Sequence, residues 1–155
     1  MTNNDILRRL RYTLRLDDAA VARIFGLGGQ AATRDEVDAW TRPDDDPALE
    51  PMTDYALATF LNGLIAERRG PRKDGRPLPP PERELSNNAV LRKLKIAFDL
   101  KTHELRALFA LVGKQISEAE LTAFFRRPGT RQFRVLNDQY LRQFLSGLQA
   151  SFRGR

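Results

Sequence analysis

Phe60-Leu61-Asn62-Gly63-Leu64 returns 84 residues later as Phe144-Leu145-Ser146-Gly147-Leu148. Each copy holds a glycine inside an apolar run of helical spacing, where glycine costs about 0.5–1 kcal/mol relative to alanine. Something must offset that cost in both copies, and the simplest candidate is another helix passing close over a residue that has no side chain.

Working outward, a shift of 84 aligns residues 3–70 with 87–154 without a gap, and about twenty of the sixty-eight pairs are identical. Asn3-Asn4 falls on Asn87-Asn88, Leu7-Arg8 on Leu91-Arg92, Leu10 on Leu94, Phe25 on Phe109, Gly29 on Gly113 and Glu36 on Glu120. A register that superimposes glycines, caps and aromatics together is an internal duplication. The chain therefore reads as a first repeat over 1–70, a proline-rich linker over 71–86 and a second repeat over 87–155.

Four helices are predicted in each repeat, because apolar residues recur at three- and four-residue spacing behind capping residues. The first runs from about Asn4 to Arg15 with Leu7, Leu10 and Leu14 on one face, and Leu91, Leu94 and Phe98 repeat that face. A second begins near Asp18 and stops near Gly28-Gly29, with Gly113 ending its twin in the left-handed conformation glycine tolerates. The third opens on Thr33-Arg34-Asp35-Glu36 or Ser117-Glu118-Ala119-Glu120, both with the pattern of a capping box, and Ile116 and Leu121 fit a hydrophobic staple across the latter. A fourth starts near Thr53-Asp54 or Asn137-Asp138, with an aspartate where the helix dipole favours negative charge. Trp40, Phe124, Phe60 and Phe144 fall on apolar faces and are expected in the core.

Between the repeats, Pro71, Pro77, Pro79, Pro80 and Pro81 forbid helix and favour an extended, semi-rigid path. One repeat of about seventy residues would be marginal alone. The expected fold is all-α, two tandem four-helix repeats packed about a pseudo-twofold axis.

With these elements placed, three stretches carry a resemblance: Asn3-Asn4-Asp5-Ile6-Leu7-Arg8, the run from Phe60 through Asn62-Gly63 to Arg69-Gly70, and Asn87-Asn88-Ala89-Val90-Leu91-Arg92-Lys93-Leu94-Lys95. They resemble the YehS-like family of duplicated bacterial domains of unknown function, over nearly the whole chain and most loosely in the linker. The resemblance implies a bacterial, soluble, helical protein, and it brings no catalytic or binding residue with it.

Composition excludes several function classes. Hydrophobic residues make up 41% and charged residues 30% of 155 positions, ordinary for a globular chain long enough to bury about two thirds of its unfolded surface. No apolar run approaches the roughly 18 residues of a membrane span, and the first ten residues lack the order of a secretory signal, so a cytoplasmic protein without a membrane partner is expected. There is no cysteine, which removes disulfides and thiolate sites and fits a reducing compartment.

The single histidine, His103, is placed in the first turn of a helix as a surface residue. Zinc takes three or four nitrogen, sulfur or oxygen ligands, usually with His or Cys among them, and catalytic histidines need a partner in hydrogen-bond reach. Asp44-Asp45-Asp46 is the one run that suits magnesium, but its twin is Pro128-Gly129-Thr130, so a solvated acidic loop is the preferred reading. Neither a glycine-rich phosphate loop nor a Gly-x-Ser-x-Gly elbow occurs. No enzyme activity, catalytic residue, metal or cofactor is implied.

Charge is what points outward. Residues 1–70 carry 9 Lys+Arg against 12 Asp+Glu, 71–86 carry 4 against 3, and 87–155 carry 13 against 5, within a net charge of +6. Arg8, Arg11 and Arg15 form a stripe on the first helix, flanked by Arg9, and Arg92 and Lys95 with Lys93 repeat part of it. Arg126, Arg127, Arg131 and Arg134 gather around the loop before the last helix. Grouped cations of this kind suit phosphates, and the alternative is a solvated face with local carboxylate pairs. A helix-turn-helix reading of the second and third helices fails because acids open the would-be recognition helix, where base edges mostly want donors.

Arg92, Lys93, Lys95, Arg126, Arg127, Arg131 and Arg134 are therefore the candidate contacts for RNA or DNA. The rival expectation is a protein-interaction adaptor that receives a partner helix or peptide in a groove between the repeats, with the charges serving for steering.

Overall fold

The structure is a computed structural model, and it describes residues 1–154. Those residues form eight helices and no strand, in the order α1 Asn3–Leu14, α2 Asp18–Leu27, α3 Arg34–Thr41, α4 Asp54–Arg69, α5 Asn87–Ala97, α6 Thr102–Ala110, α7 Glu118–Ala123 and α8 Asp138–Arg153. Two compact units divide at Leu85 and Ser86, with α1–α4 in the first and α5–α8 in the second.

Polar groups at the starts help set the helix limits, and left-handed residues follow several of the ends. Thr2 caps α1 in a reciprocal box with Asp5, each side chain accepting from the other's backbone N–H. Thr33 and Glu36 form the same device at α3. Thr53 caps α4 and Asn137 caps α8. Arg15 and Asp99, at equivalent positions of the repeats, end their helices at φ 56° and 53°. Gly29 and Gly113 follow α2 and α6 at φ 102° and 78°, as the duplicated glycines predict.

The box expected at Ser117 is only half formed. Ser117 Oγ accepts from the Glu120 N–H at 3.0 Å, but the Glu120 carboxylate takes the serine hydroxyl at 3.2 Å instead of the serine N–H. Its other oxygen lies 3.4 Å from the Arg134 guanidinium. The twin of Arg134 is Glu50, so the same carboxylate in the first repeat meets no such attraction.

In the first unit α4 packs on α2, and α3 lies against α1 and α2, around Leu7, Leu10, Val21, Phe25, Val37, Leu57 and Phe60. The second unit repeats this with α8 on α6 and α7 against α6, around Leu91, Leu94, Leu105, Phe109, Leu121, Leu141 and Phe144. Phe60, Phe124 and Phe144 are fully buried. Trp40 departs from expectation: it is only half-buried, its ring lying 5.2 Å from that of Phe25 at the edge of the core.

The two glycines that open the sequence argument sit at backbone-to-backbone crossings. A Cβ on Gly63 would lie 1.8 Å from the Ile24 carbonyl oxygen, and one on Gly147 would lie 2.1 Å from that of Leu108, the twin of Ile24. The first crossing has a second contact of this kind, since a Cβ on Gly28 would lie 2.0 Å from the Thr59 oxygen. Val112 stands at that position in the second repeat.

The proline-rich segment has no helix and falls within the first compact unit. The Asn62 amide donates to the Pro79 carbonyl at 3.2 Å, the Leu85 N–H donates to Asp54 at 2.8 Å, and the Arg83 guanidinium sits 5.7 Å from the Tyr55 ring centre. A cleft of about 420 Å³ opens between Leu27–Gly29, Tyr55 and Pro77–Pro81.

Candidate nucleic-acid interface

A buried asparagine fixes the first helix of each repeat against the loop that carries the charges. Asn4 donates to the carbonyls of Trp40 (2.9 Å) and Glu50 (2.8 Å) and accepts from the Met52 N–H at 3.0 Å. Asn88 does the same with Phe124 (3.0 Å), Arg134 (2.9 Å) and the Leu136 N–H (2.9 Å). The preceding asparagines, Asn3 and Asn87, reach the carbonyl of Met52 or Leu136 and the carboxylate of Asp54 or Asp138. The duplicated Asn-Asn pair is thus a clamp. Its sequence signal is an asparagine pair recurring behind the cap of each repeat's first helix, a pattern legible as a repeat match but not as a role.

The clamp decides which cations of α5 share the loop's side of the helix. Residues four and seven places after Asn88 lie on its side of α5, so Arg92 and Lys95 face the loop before α8. Lys95 Nζ lies 5.8 Å from the centre of the Phe125 ring, beside Arg126. Lys93 lies about 100° around the helix from Arg92 and off this face.

Arg126 and Arg127 lead into Pro128-Gly129, where Gly129 has φ 86°, and the Thr130 N–H returns to the Arg127 carbonyl at 3.2 Å. Proline second and a left-handed glycine third are the marks of a type II turn. The Thr130 hydroxyl also donates to the Arg127 carbonyl, at 2.7 Å, so Arg126, Arg127 and Arg131 are exposed around a braced turn.

The first repeat shows the same scaffold neutralised. The Arg8 guanidinium donates to Asp5, to Asp44 at 2.7 Å and to the Arg42 carbonyl at 2.7 Å. Arg11 pairs with Asp18 and donates to Thr41. Arg42 bridges Asp38 at 2.7 Å and Asp46 at 3.0 Å. Burial acts to lower the Arg8 pKa, but its bonds to Asp44 and Asp5 outweigh that and raise it. Asp46 is held below the usual carboxylate range by the Ala48 N–H first and then by Arg42. Burial acts to raise the Asp5 pKa, and the Thr2 N–H and Arg8 more than reverse it.

At the twin positions every one of those carboxylates is gone. Asp5, Asp18, Asp38, Asp44 and Asp46 become Ala89, Thr102, Thr122, Pro128 and Thr130, while Arg8, Arg11 and Arg42 remain cationic as Arg92, Lys95 and Arg126. Pro43, Pro47 and Glu50 become Arg127, Arg131 and Arg134. Among the described residues no carboxylate lies within ion-pair distance of Arg92, Lys95, Arg126, Arg127 or Arg131. Arg134 differs, because it faces Glu120 and lies 6.0 Å and 5.9 Å from the ring centres of Phe124 and Tyr140.

Asp44 and Asp46 are taken up by Arg8 and Arg42, and among the described residues no three or more His, Asp or Glu side chains are grouped to hold a metal ion. His103 is exposed on the first turn of α6. No helix among the described residues is long and apolar enough to cross a membrane.

Residues 3–70 and 87–154 each match the family model described as "Protein of unknown function (DUF1456)". The chain belongs to this family. The match falls twice on the chain, on the same two spans that the shift of 84 aligns, so the DUF1456 unit is one four-helix repeat. The "Uncharacterized protein YehS" of Escherichia coli (strain K12) is 42% identical over 150 residues, covering 97% of this chain and 96% of that protein. No solved structure matches the chain. The DUF1456 description carries no activity over to these residues, and any functional reading rests on the chemistry of the two repeats.

Proposed function

We propose that this protein is a non-enzymatic helical module that contacts nucleic acid through its second repeat. The observation that carries the reading is the paired comparison above: one scaffold, built twice, keeps its cations in both copies and its neutralising carboxylates in only one. Guanidinium groups held around a rigid turn without partners suit phosphate oxygens, which accept paired N–H donors, and each phosphate neutralised releases counterions. Arg92, Lys95, Arg126, Arg127 and Arg131 form the proposed contact, with Lys93 and Arg134 at its margins.

Fluorescence anisotropy of labelled RNA and DNA against the full chain tests this. Binding at low salt is expected, with log K falling against log salt at a slope of roughly −3 for three or four duplex phosphates. Arg126→Ala or Arg131→Ala should each flatten the slope by about one and weaken all sequences alike. No binding to either nucleic acid at micromolar protein would retire the reading in favour of a protein-interaction adaptor.

A further inference from the structure

Resting on that reading, we infer that the second repeat prefers single-stranded nucleic acid, with Phe125 and Phe133 as the surfaces on which bases stack. Both rings border the basic turn: Phe125 directly precedes Arg126, and Phe133 lies between Arg131 and Arg134. Both are half-buried. Their twins in the first repeat are Thr41 and Leu49, also half-buried, so the same fold is completed there without an aromatic ring at either position.

The second repeat therefore presents ring surface beyond what the scaffold requires, in the same loop that has gained arginines. Lys95 over Phe125 anchors one ring beside a cation of α5, and the Phe133 N–H donates to the Thr130 carbonyl at 3.2 Å, tying the other to the braced turn. Cations following a backbone, interleaved with aromatic faces, are the arrangement that holds unpaired bases. A duplex hides those base faces inside its stack and offers only phosphates and groove edges.

The test compares single-stranded RNA, single-stranded DNA and duplex DNA of equal length against the full chain at one salt concentration. Tighter binding to either single strand than to duplex is expected. Phe125→Leu and Phe133→Leu, which keep the apolar contact and remove the ring, should each weaken single-strand binding about tenfold, and Phe133→Leu, whose ring holds no cation of the contact, should leave duplex binding and the salt slope unchanged. Thermal unfolding of both variants checks that they remain folded. As a second readout, Phe133→Trp in a Trp40→Phe background should show fluorescence quenched by a single strand and not by duplex. Equal affinity for single strand and duplex, or leucine variants that bind like wild type, would overturn the stacking inference and leave phosphate binding standing. Absence of binding to all three would overturn both.

Discussion

The crossing of α2 over α4 and the crossing of α6 over α8 descend from one design and have diverged. In the first repeat two glycines, Gly28 and Gly63, each let a backbone carbonyl of the facing helix approach closer than any side chain allows. The second keeps Gly147 but replaces the other glycine with Val112, which is partly exposed. The charges have diverged in the same sense, the first repeat closing Arg8, Arg11 and Arg42 with aspartates and the second leaving their twins Arg92, Lys95 and Arg126 without a carboxylate in ion-pair distance among the described residues. The first repeat is the more tightly closed in backbone and in charge.

The largest way to break this comparison is at the glycines. Gly63→Ala sets a methyl group against the Ile24 carbonyl, and backbone yields less readily than a side chain, so a loss of about 3 kcal/mol is expected by thermal or urea unfolding. Gly147→Ala should cost a similar amount. A crossing that accepts alanine at either position with an unchanged midpoint would show that the helices separate easily there. Placing in the second repeat the glycine that Gly28 supplies in the first sharpens the point: Val112→Gly should lower stability slightly, because glycine adds flexibility without adding a contact.

Next in size is the clamp. Asn88→Ala leaves two carbonyls and one N–H without their partner, two of these bonds being fully buried. Such groups cost about 1–3 kcal/mol when stranded, so a total near 2–3 kcal/mol is expected if water reaches part of the site. Asn4→Ala should cost somewhat less, because of its three bonds only the one from the Met52 N–H is fully buried. A loss at Asn4 as large as that at Asn88 would show that burial of these bonds does not set their worth.

A transplant of charge tests the functional half of the comparison. Ala89→Asp with Thr130→Asp restores in the second repeat the carboxylates that Asp5 and Asp46 supply in the first, and position 89 is also where a capping box with Ser86 would form. Stability should stay level or rise slightly, while polyanion affinity falls and the salt slope flattens by about two. Unchanged affinity in a well-folded double variant would place any anion contact elsewhere.

The smallest effect is in acid. The Asp5 and Asp46 pKa values are lowered in the folded chain, so their stabilising contribution is present above the ordinary carboxylate pKa of about 3.9 and is lost as pH falls through their folded values. Trp40, at the edge of the first repeat's core, reports the result. Asp46→Asn should remove part of the acid-dependent change in its fluorescence midpoint below about pH 4. A midpoint with the same pH dependence in the variant would mean that Asp46 contributes nothing to it.

The fold was readable because its signals are local or duplicated: caps lie within three residues of their partners, and the glycines recur in register. The charges are less legible. The stripe of Arg8 and Arg11 looks like that of Arg92 and Lys95 until Arg8 is seen to meet Asp44, 36 residues away, a pairing that no periodicity announces. The half-formed box at Ser117 failed for the same reason, since Arg134 competes from outside the motif. Trp40 lies at the margin because α3 is only eight residues long and its final turn borders the loop.

The clamp also changes what the chain's loops look like to solvent. The amides of Met52 and Leu136 belong to no helix, yet each is buried against an asparagine oxygen. Loop amides ordinarily exchange their hydrogen with water through small local openings. These two are released only when the first helix of the repeat lifts away from its loop. In deuterated solvent they should exchange as slowly as helix interiors, and each should report the opening free energy of its own repeat.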